Sequence, residues 1–262
     1  MKVGFLQTFP IFGEKQENVD NAIEKIKHLN ADLVVLPEFF NTGYQFTSKE
    51  EVLALSEEVP EGHTTQALIS LSKEKHVYIV AGLAERENGQ CYNSAVLVGP
   101  TGFIGHYRKL HLFYDEKKWF EPGNMGLNVY DIGKAKVGIM ICFDWFFPEV
   151  ARSLALKGSD IFCHPSNLVL PYCPQAMITR CLENSVFAIT ANRIGYEKRS
   201  DEELTFIGTS QILGTKGEIL YRASPDKEEV VVVEIDPNNA RDKQITPVNH
   251  LFNDRRIKLA FQ

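Results

Sequence analysis

Two hydrophobic patterns alternate along the chain. Short runs without a polar residue, at 33 to 36 and 137 to 141, read as strands buried on both faces. Between such runs, apolar residues return every three or four positions, which is the repeat of a helix with one buried face. Residues 3 to 7 read as the first strand, and 16 to 29 as a helix with Val19, Ala22, Ile23, Ile26 and Leu29 on one side. A strand at 32 to 36 follows, then a helix over about 64 to 75 with Ala67, Leu68 and Leu71 inward. Strands at 77 to 81 and 92 to 98 come next, and Gly99-Pro100-Thr101-Gly102 is a turn signal. The strand at 137 to 141 leads through Phe143 to Phe147 into a helix opened by Pro148, with Val150, Leu154 and Ala155 inward. A strand at 160 to 163, a helix over about 174 to 184 and a strand at 186 to 191 continue the pattern, with last strands near 208 to 213 and 230 to 235. This mixture of strands and helices predicts an α/β layered domain.

Composition narrows the class. With 262 residues and 44% hydrophobic content, the chain can bury a large core, and no linker, low-complexity run or repeat divides it. A net charge of -6 with well-mixed charges leaves no basic face for nucleic acid or an anionic membrane. No apolar run approaches the roughly 20 residues that span a bilayer, and the N-terminus lacks a signal peptide's apolar stretch. The five cysteines are odd in number and show no Cys-x-x-Cys pair, which points to a reducing cytoplasm.

Three segments carry candidate chemistry. Cys142 ends the strand at 137 to 141 and precedes a turn into a helix, the corner where open α/β sheets place their ligands. A partly exposed, electropositive thiol at that corner is a nucleophile; an enclosed one is a small core residue. Glu38 ends the run Leu33-Val34-Val35-Leu36-Pro37, among bulky apolar groups whose desolvation makes it a better base near neutrality. The plainer reading is a surface turn glutamate. His106-Tyr107-Arg108-Lys109-Leu110-His111-Leu112-Phe113 interleaves cations with aromatics and leucines. If it is extended, Lys109 shares a face with Tyr107 and His111; its plainer reading is an edge strand with solvated lysines.

Taken in order, Glu38 in Leu-Pro-Glu, Lys109 in Tyr-Arg-Lys-Leu-His-Leu-Phe and Cys142 in Ile-Cys-Phe-Asp-Trp-Phe-Phe-Pro-Glu resemble the nitrilase superfamily of carbon–nitrogen hydrolases. Asn93-Ser94-Ala95, Phe120-Glu121-Pro122-Gly123, His164-Pro165-Ser166-Asn167 and Thr190-Ala191-Asn192-Arg193-Ile194-Gly195 are also similar to family segments. The likeness runs from about Val3 to Asp236, and the text around Cys142 is most like the small branch of archaeal-type aliphatic nitrilases and amidases. The resemblance implies a four-layer αββα sandwich, one domain over 1 to 262 with about 237 to 262 as a C-terminal arm, and no cofactor. It also implies a homodimer or higher oligomer, paired through the helix at about 148 to 157 and the C-terminal segments. Ile257, Leu259 and Phe261 alternate there like a strand or arm that packs on a partner; the other reading is a frayed tail.

The implied chemistry is covalent. Cys142 attacks, Glu38 moves protons, and Lys109 with the backbone N–H of Phe143 receives the developing negative charge. The family carries a second glutamate at the position of Glu116, whose expected role is to fix Lys109 and substrate. Its setting, Asp115-Glu116-Lys117-Lys118, otherwise reads as a solvated charge run. Asp144 is expected to cap the turn into the Pro148 helix. Tyr44 and Asn167 are candidate polar groups of the pocket, and Phe113, Trp145 and Tyr172 candidate walls; no arginine is plainly poised for a substrate carboxylate, though Arg193 or Arg180 could reach one. His111 is either a support for Lys109 or a structural histidine.

Other site types find less support. Cys163 and His164 point to opposite faces of a strand and cannot pair, and His106, His111, Glu116 and His164 lack any compact metal-ligand spacing. Three readings remain: a hydrolase of small linear amides including carbamoyl compounds, a nitrilase using the same residues, and a thiol sensor or binding protein without catalysis. A role fed by or feeding ammonia to a second domain, and membrane acyl transfer, lack the necessary segments.

Overall fold

The computed structural model describes residues 1–257. In chain order the elements are β1 (Lys2–Gln7), α1 (Lys15–Lys27), β2 (Leu33–Val35), α2 (Lys49–Leu55), α3 (His63–Lys75), β3 (Tyr78–Glu87), β4 (Gln90–Gly99) and β5 (Gly102–Arg108). Then come α4 (Glu116–Trp119), β6 (Val129–Asp131), β7 (Lys136–Ile139), a 3-10 turn at Cys142–Phe146, α5 (Pro148–Leu156), β8 (Ile161–Pro165), α6 (Cys173–Leu182) and β9 (Phe187–Ala191). The last elements are β10 (Tyr196–Glu197), β11 (Leu204–Thr205), β12 (Gln211–Leu213), β13 (Ile219–Arg222), β14 (Glu229–Glu234), α7 (Asn238–Arg241), β15 (Gln244–Thr246) and β16 (Asn249–His250).

Two six-stranded sheets, ordered β14-β1-β2-β3-β4-β5 and β13-β12-β9-β8-β7-β6, form the centre. Strand alternation decides what each face meets. Val3, Phe5, Leu33, Val35, Val80 and Leu97 of the first sheet share one core with Val137, Ile139, Ile161, Cys163 and Ile189 of the second. The opposite face of the first sheet, with Leu6, Val34, Ile79 and Val96, packs on Val19 and Ile26 of α1 and Leu68 and Leu71 of α3. Val150 and Leu154 of α5 and Met177 of α6 cover the second sheet. The result is the expected four-layer αββα order.

The apolar strands and amphipathic helices lie where the pattern put them, within a few residues. Departures have local causes. β3 runs on to Glu87 because it forms a hairpin with β4, and the buried Arg108 guanidinium pairs with Glu85 where the sequence loses its apolar run. β5 stops at Arg108, so Lys109 begins a loop rather than sitting mid-strand. α2 was not expected; its Ser48 N-cap accepts from the Glu51 N–H. Ile257 is exposed, and Leu259 and Phe261 lie outside the described residues. No helix among the described residues is long and apolar enough to cross a membrane.

Candidate active site

Glu38, Lys109, Cys142 and Asn167 follow β2, β5, β7 and β8, and these strand ends converge between the two sheets. Each is placed by its backbone. The loop after β2 is drawn against β3, with Gly82 N–H bonded to Pro37 O at 3.2 Å and Phe40 N–H to Gly82 O at 3.1 Å. A Cβ on Gly82 would stand 2.5 Å from Glu38 Cα, so only glycine admits this approach. Lys109 is tied at both backbone ends: its N–H donates to Asn93 O and its carbonyl accepts from Gly123 N–H, each at 2.8 Å. Cys142 opens the 3-10 turn with φ of +38°, a strained conformation for a residue with a side chain. His164 Nε2–H donates to its carbonyl at 2.9 Å and helps hold that strain. Burial drives the His164 ring down to about 4, so it stays neutral.

The side chains form one buried cluster. Lys109 Nζ reaches Glu38 Oε1 and both oxygens of Glu116, each at 2.8 Å. Asn93 Nδ2 donates to Glu38 Oε1 at 2.6 Å, and Tyr44 hydroxyl to Glu116 Oε1 at 2.7 Å. Glu38 and Lys109 are 0% exposed, and Glu116 only 4%. Asn167 Nδ2 donates to the Glu38 carbonyl at 2.8 Å, and the Asn167 carbonyl lies 3.9 Å from Cys142 Sγ. Glu38 Oε2 is buried with no hydrogen-bond partner.

Charge within the cluster follows from burial and neighbours. Burial lifts the Glu38 carboxyl above the usual glutamate range; Lys109 opposes this and Glu116 reinforces it. Burial alone would lower the Lys109 ammonium, but Glu116 and Glu38 outweigh it and keep the group charged. Burial and then Glu38 raise the Cys142 thiol well above its ordinary value, with Lys109 opposing only in part. Lys109 therefore does not by itself lower the thiol, and Glu38 keeps one oxygen without a hydrogen-bond partner.

A narrow cleft open to solvent reaches Cys142, lined by Phe113, Phe143, Trp145, Asn167, Leu168, Val169 and Leu170. The expected wall residues Phe113 and Trp145 are there. Tyr44 is not part of this lining; it acts on Glu116 instead. Tyr172 is 62% exposed and not part of the wall, because α6 turns it outward. Neither arginine is free: Arg193 is buried against Glu197, and Arg180 bonds Glu183 and the Trp145 carbonyl. Asp144 caps the turn that leads into the Pro148 helix, as expected, and does more than that. Its Oδ2 accepts from Ile141 N–H at 2.9 Å, and its Oδ1 from His111 Nδ1–H at 2.8 Å. His111 thus bonds Asp144 and makes no direct bond to Lys109. The histidines considered as metal ligands are dispersed, with His106 on Glu85 and His164 on Cys142 O and Thr190. Asn93, not singled out as a site residue, had a legible signal: a polar side chain inside the apolar strand at 92 to 98.

Comparison with known proteins agrees with this arrangement. Residues 6–244 match the family model described as carbon–nitrogen hydrolase. The chain is 51% identical over 265 residues to a nitrilase from Pyrococcus abyssi, covering 100% of both chains. It is 32% identical over 266 residues to an (R)-stereoselective amidase from a Pseudomonas species, covering 99% of this chain and 93% of that one. A carbon–nitrogen hydrolase from Helicobacter pylori G27 superposes with a TM-score of 0.89 at 28% identity, over 98% of this chain and 96% of that one.

Proposed function

The chain belongs to the carbon–nitrogen hydrolase family, and on that premise we propose that it hydrolyses short, uncharged amides, carbamoyl compounds included, through a thioester on Cys142. The observation that carries this reading is the division within one carboxylate. Glu38 Oε1 is held by Lys109 and Asn93, while Oε2 is buried and unpartnered. A desolvated, unpaired carboxylate oxygen near a neutral thiol is a base prepared for that proton.

As Sγ attacks the carbonyl carbon, Glu38 takes the thiol proton and the C=O electron pair moves onto oxygen. Lys109 uses one proton on Glu38 and one, bifurcated, on Glu116, which leaves the third for that oxygen. The Phe143 backbone N–H is the second donor; one preorganised donor of this kind is worth roughly 3–4 kcal/mol. Glu38 then passes its proton to the departing nitrogen, the C–N bond breaks, and ammonia leaves a thioester. Water attacks next and gives its proton to Glu38; collapse breaks the C–S bond, the sulfur regains a proton from Glu38, and the carboxylic acid departs. Glu116, pinned by Tyr44, keeps Lys109 aimed. The same groups serve a nitrile, whose first adduct is a thioimidate. That second reading is favoured by the 51% identity to a protein named nitrilase. A sensing thiol needs a low pKa and exposure, and Cys142 has neither.

The small cleft with aliphatic and aromatic walls, and both nearby arginines already engaged, support a short substrate without a carboxylate. We read 1 to 262 as one domain with about 237 to 262 as its arm, assembled as a homodimer or larger. All five cysteines are unpaired, in keeping with a cytoplasmic setting. The deciding experiment measures ammonia from matched pairs of small aliphatic amides and nitriles, with wild type and Cys142→Ala. Release from amides that is lost in the variant is the expected result. Release from nitriles alone would select the second reading, and release that survives Cys142→Ala would overturn both.

A further inference from the structure

The oxyanion site assigned above takes its donors from two sheets: Lys109 follows β5 of the first, and Phe143 follows β7 of the second. Both donors must converge on one oxygen, and an error of about 1 Å in such placement costs on the order of 100-fold in rate. Apolar packing between sheets does not hold so fine a gap. Hydrogen bonds across it do, and a compact set of them ends on one side chain. Tyr107 hydroxyl donates to Asp144 Oδ2 at 2.8 Å, and His111 donates to Asp144 Oδ1 through Nδ1–H at 2.8 Å and through its backbone N–H at 3.2 Å. Tyr107 and His111 stand two residues either side of Lys109; Asp144 stands next to Phe143 and two residues beyond Cys142. The carboxylate is 0% exposed and is itself fixed to the nucleophile turn through Ile141 N–H at 2.9 Å.

We propose that Asp144 and His111 are positioning residues that set the distance between the Lys109 ammonium and the Phe143 N–H. The proposal rests on the reading of Cys142 and Lys109 given above. Capping the nucleophile turn alone would need only the Ile141 bond, for which asparagine serves as well. Here the side chain receives four donors, from Ile141, Tyr107 and twice from His111. An ionised carboxylate offers about four lone-pair sites and no donor, whereas an amide would turn its NH₂ against incoming protons. A second contact grips the same gap. The His111 ring lies flat on Phe147, centroids 3.6 Å apart and 12° between planes, and Phe147 meets Phe143 edge-on at 5.4 Å. His111 thus meets Phe147, and through it Phe143, with its ring face and Asp144 with its edge.

The test uses the full-length protein and two reactions of the same sulfur. Amide hydrolysis needs the oxyanion site. Alkylation of Cys142 by 2-iodoethanol, followed by mass spectrometry, attacks a carbon with no carbonyl and bypasses it. His111→Ala and Asp144→Asn are expected to lower kcat about 10- to 100-fold, with KM and the alkylation rate each within about twofold of wild type. His111→Asn, which keeps a donor near the Nδ1 position, is expected to recover kcat to within about threefold. Unchanged kcat in His111→Ala, or kcat and alkylation falling together, would overturn the proposal. Ammonia release that persists in Cys142→Ala would instead overturn the thioester reading. If Asp144→Asn does not fold, the two His111 variants, at a partly exposed position, decide the matter with Tyr107→Phe.

Discussion

Two carboxylates, one ammonium and one thiol share a buried site at the foot of an open cleft, and their charges bear on which group holds the proton. Burial, Glu38 and Glu116 all raise the Cys142 thiol, and the Lys109 ammonium offsets them only in part. Glu38 must be ionised to accept that proton, and its pKa lies above the ordinary 4.5. Below its raised pKa Glu38 carries a proton and the rate falls; above it the base is free. A profile of kcat/KM against pH is therefore expected to drop on the acid side with a midpoint above 4.5, and a midpoint at or below that value would contradict the assignment. Glu38→Gln is expected to lower kcat by about 10²- to 10⁴-fold. Because the fold favours the protonated form, Glu38 contributes stability that is present at low pH and lost as pH rises through the raised value. The glutamine variant should then not lower the melting temperature at neutral pH, which thermal unfolding checks.

The element scale explains what the sequence reveals and what it hides. Glu38 and Cys142 are legible because each ends an unbroken apolar run, and a polar group at such a strand end must be either wasted or used. Glu116 is masked by its neighbours: Asp115 and Lys118 form the surface ion pair that the charge run suggests, while Glu116 one step away turns inward. The roles of Asp144 and His111 are illegible for a different reason, since 33 positions separate them and nothing local announces the contact. The same holds for elements: β13 is half exposed and breaks the pattern of a buried strand, so the sequence gives it no weight. Gly82, by contrast, shows its purpose only when β3 and the Glu38 loop are seen together. Gly82→Ala would place its Cβ 2.5 Å from Glu38 Cα and 2.9 Å from the Pro37 carbonyl. The loop must yield, and kcat is expected to fall about 100-fold while the circular dichroism spectrum stays that of a folded α/β protein. Full activity in that variant would show that the approach of β3 does not set the position of the base.

At the scale of the whole molecule, the two outer helix layers differ. Neither α1 nor α3 carries an exposed large apolar side chain among the described residues. The layer over the second sheet leaves Phe146 at 55%, Leu156 at 45%, Tyr172 at 62% and Leu182 at 55% exposure, on or beside α5 and α6. Such a concentration on one layer calls for a cover, and a second copy presenting the same face through a two-fold axis would supply one. The face also adjoins the chemistry, because α5 begins just after the nucleophile turn and Arg180 of α6 bonds the Trp145 carbonyl at 3.3 Å. Light scattering at micromolar concentration is expected to give at least twice the chain mass. Leu156→Glu combined with Leu182→Glu should halve the mass and lower kcat together, since the turn that carries Cys142 would lose its outer support. A wild-type monomer would refute the pairing. A dissociated variant with full kcat would leave the pairing standing and show that the nucleophile turn is held from within the chain, by Asp144 and His164 alone.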